Sequence, residues 1–106
     1  RILARMIEAA VHFDYRLPEV FAGFPRAAER PPVVYPTASS PQAWAAGTPV
    51  FLLQALLGLE PVRADHILRS TASGLPVWAE GLVLSVVHAF GRLWTVRVQD
   101  GRVVVE

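Results

Sequence analysis

The sequence contains no cysteine, no lysine and no asparagine. Without cysteine there is no thiolate for a metal site or a disulfide, and the redox compartment is left open. Without lysine, all ten basic residues are arginine. Heat adaptation and GC-rich codon usage both produce that bias. Charge is scarce as well: charged residues make up 18% of the chain and the net charge is +1. That balance gives no electrostatic footprint for nucleic acid. The three histidines, His12, His66 and His88, lack metal-ligand spacing. No glycine-rich phosphate loop and no Ser/His/Asp order is present, so neither a metal nor another cofactor is expected. The first residues, RILARMIEAA, form a charged amphipathic pattern without a cleavage site. A cytoplasmic location is therefore expected.

What the chain has in excess is apolar surface. Hydrophobic residues make up 53% of 106 residues. A chain of this length is one domain at most, with much surface and little interior. The excess suggests surface made to meet another body. It concentrates in YPTASSPQAWAAGTPVFLLQALLGL, Tyr35 to Leu59. Ser40 stands where an N-cap belongs, and Pro41 suits the first helical position. Between Ala43 and Leu59 only Thr48 and Gln54 are clearly polar. A helix apolar on every side is buried in a large protein or in a membrane. At about 17 residues, with Gly47, Pro49 and Gln54 inside, it sits at the short edge of a membrane span, so a helix buried in protein is expected and no membrane partner. Pro49 should kink it, and Gly58 should end it.

Upstream, Arg1 to about Asp14 reads as a helix, with Ile2, Leu3, Met6, Ile7, Ala10 and Val11 on one face and Arg1, Arg5, Glu8 and His12 near the other. Glu8 and His12, four apart, could pair. No N-cap precedes Ile2 and there is no initial Met, which suggests a chain cut within or just before a helix. Residues 15–41 hold Pro18, Pro25, Pro31, Pro32, Pro36 and Pro41 and cannot be one helix. Long ordered loops of this kind are usually functional. This one carries Tyr15, Arg16, Glu19, Arg26, Tyr35, Thr37, Ser39 and Ser40, with Gln42 and Trp44 in the turn that follows. Aromatic rings beside carboxylate, guanidinium and amide groups suit a sugar; proline-rich packing loops use the same residues structurally. Glu19 follows Leu17-Pro18 and precedes Val20-Phe21. A carboxylate among apolar side chains can be partly desolvated and tuned for acid–base work, or it can be an exposed loop residue.

Beyond Glu60 the period becomes two. His66 to Ala72 reads as a short strand, and Ser73-Gly74 as a turn before Leu75-Pro76-Val77-Trp78. Leu82 to Phe90 reads as a strand covered on both faces, with a turn at Gly91. Leu93 to Gln99 and Arg102 to Glu106 flank Asp100-Gly101, a strong hairpin signal. That turn pairs Val98 with Val103 and Val96 with Val105, and sets these four with Trp94 on one face. The expected class is α+β: residues 1–60 helical, residues 61–106 an antiparallel unit of three or four strands.

The run RLPEVFAGFPR, Arg16 to Arg26, followed by YPTASSPQAWAAGTPVFLLQALLGL and by LPVWAEGLVLSVV with its hairpin, resembles the C-terminal end of the glycogen debranching enzyme (amylo-α-1,6-glucosidase) family over nearly the whole chain. The resemblance implies the terminal helices of an (α/α)6 toroid, followed by the antiparallel appendage. It implies an inverting α-1,6-glucosidase whose LPE glutamate, matching Glu19, is the general base. Tyr35, Gln42 and Trp44 match positions near the sugar pocket. The general acid lies upstream in the family, so these 106 residues are expected to be inactive alone. The implied partners are an α-glucan or other α-glucoside and the missing N-terminal part of the same protein; self-association of the apolar helix is an alternative. The competing reading is a small α+β module for assembly or carbohydrate binding, without hydrolysis.

Overall fold

The computed structural model describes residues 2–25, 27 and 30–106. Arg1 and Arg26, which the sequence assigns to the first helix and to the polar groups of the loop, lie outside the described residues. The chain is α+β. Helix α1 (Ile2–Ala10) runs into a 3-10 turn at Val11–Phe13, and helix α2 covers Ala43–Leu56. Five strands follow: β1 (Leu59–Val62), β2 (Ile67–Ser70), β3 (Val83–Ala89), β4 (Arg92–Gln99) and β5 (Arg102–Val105). They form two antiparallel sheets, β1-β2 and β3-β4-β5, rather than one unit of three or four strands. The described residues contain two α-helices and no toroid. The chain divides into two compact units, Arg1–Leu53 and Gln54–Glu106, each with its own core.

In the first unit the core is Ala9, Ala10 and Leu17, with Met6, Phe13 and Ala45 packed against it. The buried stripe of α1 is thus Leu3, Ala9 and Ala10. Ile2 and Val11, expected on that stripe, are exposed. The 3-10 turn accounts for Val11: it tightens the helix after Ala10, and Phe13, not Val11, packs on the core of Ala9, Ala10 and Leu17. Asp14 and Tyr15 then take left-handed backbone angles, and the Tyr15 N–H donates to the Ala10 carbonyl at 2.9 Å, stopping the helix. On the outer face Arg5 meets Glu8 at 2.8 Å.

Helix α2 begins at Ala43, two residues later than Pro41. The Gln42 carbonyl accepts from Ala46 N–H at 2.8 Å, while the Gln42 N–H donates outward to the Leu17 carbonyl at 3.0 Å. That tertiary bond occupies Gln42 with the preceding loop, and with the helix starting at Ala43, Ser40 does not sit at the cap. Pro49 lies inside the helix, and the Thr48 hydroxyl donates to the Trp44 carbonyl at 2.7 Å. The expectation of burial on every side is overturned within this chain: no residue of α2 is buried, and Trp44 is 85% and Val50 and Phe51 67% exposed. The reason is a shortage of neighbours. The first unit offers this helix only one short core, reached through Ala45. At 14 residues, α2 is too short to cross a bilayer, and no described helix is long and apolar enough to do so.

The second unit is built on Leu57, Leu59, Leu68, Ala79, Trp94, Val96 and Val98. The hairpin register is Val96 with Val105 and Val98 with Val103. Asp100 and Gly101 both have positive φ, 52° and 70°, the type I′ geometry that matches strand twist. The Glu80 carboxylate accepts from both turn N–H groups, at 2.9 and 3.0 Å. Trp94, Val96 and Val98 are buried on one face of β4, while Arg97 on the other meets Glu106 at 3.6 Å. Strand β3 is not covered on both faces; it is an edge strand with Val83 and Val86 more than half exposed. Its pairing with β4 slips by one residue between Leu84 and Val87, a bulge that places Val86 at φ 62°. Such bulges twist an edge away from further pairing.

Strand β1 was not legible as a strand, because Pro61 falls within it. In a two-stranded sheet both strands are edges, where proline is tolerated. Its pairing with β2 aligns Glu60 with Arg69, whose side chains meet at 3.0 Å. Gly58, at φ +55°, lets the chain leave α2 for β1. A Cβ there would lie 2.5 Å from the Ala72 nitrogen, so only glycine fits.

Candidate functional site

The Leu17-Pro18-Glu19 run and the Ser39-to-Trp44 run are about twenty residues apart in sequence, and backbone hydrogen bonds lay them side by side. Leu17 is 2% exposed and Pro18 is fully buried, which anchors the backbone that enters Glu19. From there the chain pairs antiparallel with residues 33–42. The Ala22 N–H donates to Val33 at 2.8 Å, Tyr35 to Val20 at 3.3 Å, Glu19 to Ser39 at 2.9 Å, and Gln42 to Leu17 at 3.0 Å. A bridge between Phe21 and Val34 and a contact of the Phe13 and Phe21 rings at 5.6 Å complete the arrangement.

Glu19 is therefore bound to Ser39 twice. Its N–H donates to the Ser39 carbonyl, and its Oε2 accepts from the Ser39 N–H at 3.1 Å. Glu19 is exposed, although Leu17 and Pro18 beside it are buried. Leu17 and Pro18 are consecutive and both buried, so the chain reaches the surface at Glu19.

A cavity of about 970 Å³ lies within the first unit. Its wall is mainly apolar, with Met6 and Ala9 from α1, Pro18, Phe21, Phe24 and Val33; Arg5, Glu19 and Arg30 are its charged members. Of the four residues assigned from sequence, Glu19 alone lines this cavity. Tyr35 opens the turn closed by Ala38 N–H on its carbonyl at 2.9 Å, and its ring is half exposed. Gln42 is half-buried at the entrance to α2, and Trp44 is almost entirely exposed in the first turn. The backbone thus brings Glu19, Ser39 and Gln42 together, with Tyr35 across from Val20. The Trp44 ring has no packing role in the first unit's core.

Compared with known protein families, with curated proteins and with solved structures, the chain matches none.

Among the described residues, no group of three or more His, Asp or Glu side chains comes together as a cation would need. His66 lies edge-on to Phe90 at 5.5 Å and His88 sits in β3 opposite Leu93. The group that sequence reasoning missed is the main-chain N–H of Ser39. A backbone donor has no residue signature, so only the fold could reveal it.

Proposed function

We propose that this chain is the C-terminal portion of a glycoside hydrolase of the glycogen-debranching type, an inverting α-1,6-glucosidase in which Glu19 is the general base. The observation that supports this most directly is the pairing of the LPE run with the SSPQAW run around one doubly held carboxylate. Its acid partner belongs to the rest of the enzyme. On this reading α1 and α2 are terminal helices of an (α/α)6 toroid, and the unburied sides of α2 are the ones its other helices cover. The substrate is an α-glucan or related α-glucoside, no cofactor takes part, and the location is cytoplasmic.

An inverting glycosidase places its two carboxyl groups about 6.5–9.5 Å apart, leaving room for a water beside the base. Glu19 removes a proton from that water as its oxygen bonds to the anomeric carbon. The glycosidic bond breaks, and the leaving oxygen takes a proton from the acid. The apolar cavity beside Glu19 is unsuited to a hydroxyl-rich sugar; packing against the remaining helices suits it better. Tyr35 and Trp44 present open ring faces on which a pyranose can stack. Those same open rings also favour a second reading, a carbohydrate-binding module without hydrolysis.

The test is Glu19→Gln in the full-length gene product, assayed on an α-1,6-linked glucosyl oligosaccharide. Loss of a general base lowers turnover by about 10²–10⁴-fold, with sugar binding retained. Turnover within a few-fold of wild type would remove Glu19 from the chemistry and leave the binding reading.

A further inference from the structure

We propose that the Ser39 main-chain N–H is a positioning group: it commits Glu19 Oε2 to the scaffold and leaves Oε1 as the oxygen that takes the proton from water. This rests on the reading of Glu19 as general base. A glutamate on an exposed loop samples many rotamers, and a base that must meet a water in one place cannot be left to do so. Here both ends of the restraint are fixed. Glu19 is held from below by buried Leu17 and Pro18 and by its own N–H on the Ser39 carbonyl at 2.9 Å. Ser39 is held between Tyr35, bonded to Val20, and Gln42, bonded to Leu17. The Ser39 N–H then reaches Oε2 at 3.1 Å. No other donor among the described residues is bonded to this carboxylate, so Oε1 is left for solvent.

The division of labour balances chemically. The water O–H bond breaks and its proton goes to Oε1, while the water oxygen's electron pair forms the new bond to the anomeric carbon. The bond to the leaving oxygen breaks, and that oxygen is protonated by a carboxylic acid elsewhere in the enzyme. Ser39 gives up nothing and touches no substrate; it acts through Glu19. Its hydroxyl makes no bond among the described residues, so only the main-chain donor matters.

The experiment uses the full-length gene product and an α-1,6-linked glucosyl oligosaccharide. Ser39→Pro removes the N–H and should lower kcat about 10- to 100-fold with KM within about threefold, the loss expected of a misplaced catalytic group. An unchanged kcat in Ser39→Pro, with Glu19→Gln inactive, overturns the inference and leaves the assignment of Glu19 intact. An active Glu19→Gln instead removes the assignment itself. Azide separates positioning from folding, because it attacks the anomeric carbon without a base. Azide should restore turnover equally to Glu19→Ala and to the Glu19→Ala/Ser39→Pro double variant. A double variant that is not restored means that Ser39 acts on the fold, and the inference fails.

Discussion

Phe51 and Val50 provide the sharpest test of whether α2 is made for neighbours outside this chain. Both side chains are 67% exposed on a helix with no buried residue. In the 106-residue chain, Phe51→Glu or Val50→Glu therefore removes little buried area. Glutamate is also a slightly better helix former than either residue, so each change should alter stability by no more than about 0.5 kcal/mol. Inside a toroid the same positions are covered. Losing a buried Phe or Val side chain forfeits about 1.5–3 kcal/mol, and an unpaired buried charge adds about 3 kcal/mol more. The full-length gene product should then lose about 4 kcal/mol or more. Urea denaturation followed by tryptophan fluorescence reads both proteins, and the 106-residue chain serves as its own control for helix effects. A loss below about 1 kcal/mol in the full-length product would refute the reasoning, because α2 would then be a wet helix there too.

Other consequences are local. Gly58→Ala should cost about 2–3 kcal/mol, combining the left-handed strain of a non-glycine residue with displacement of the Thr71 N–H bond to the Gly58 carbonyl at 2.9 Å. Gly74→Ala, also at positive φ but with open space around it, should cost about 1 kcal/mol; equal losses in thermal denaturation would contradict the close approach at Ala72. Glu80→Ala should cost about 1 kcal/mol and speed amide exchange at Asp100 and Gly101, whose N–H groups it leaves without their acceptor. Unchanged exchange there would show that the turn holds itself. The kinetic outcomes expected for Glu19→Gln and Ser39→Pro are those given above.

The register of the β4–β5 hairpin was readable because everything that sets it is local. Asp100-Gly101 tolerates two positive φ angles, and alternation then dictates Val96 opposite Val105 and Val98 opposite Val103. The helical stretches were readable by composition, but their ends were not. Gln42 sends its N–H to Leu17, a partner 25 positions away in sequence, and that bond moves the start of α2. Val11 fell outside the buried stripe of α1 for a similar reason, because a 3-10 turn is a response to packing against Leu17 and is not written in the apolar spacing. Strand β1 needed β2 beside it before Pro61 could be accepted at an edge.

The candidate site divides along the same line. Sequence alone determined that Glu19 follows a stiff Leu17-Pro18 pair and that α2 is apolar on all sides, since both are properties of side-chain type and order. Only the tertiary structure decided that the Glu19 carboxylate is exposed and tied to the Ser39 N–H, and that α2 stays uncovered within these 106 residues. Main-chain donors look alike in every sequence, and burial depends on which neighbours are present, so neither can be read before the chain is folded.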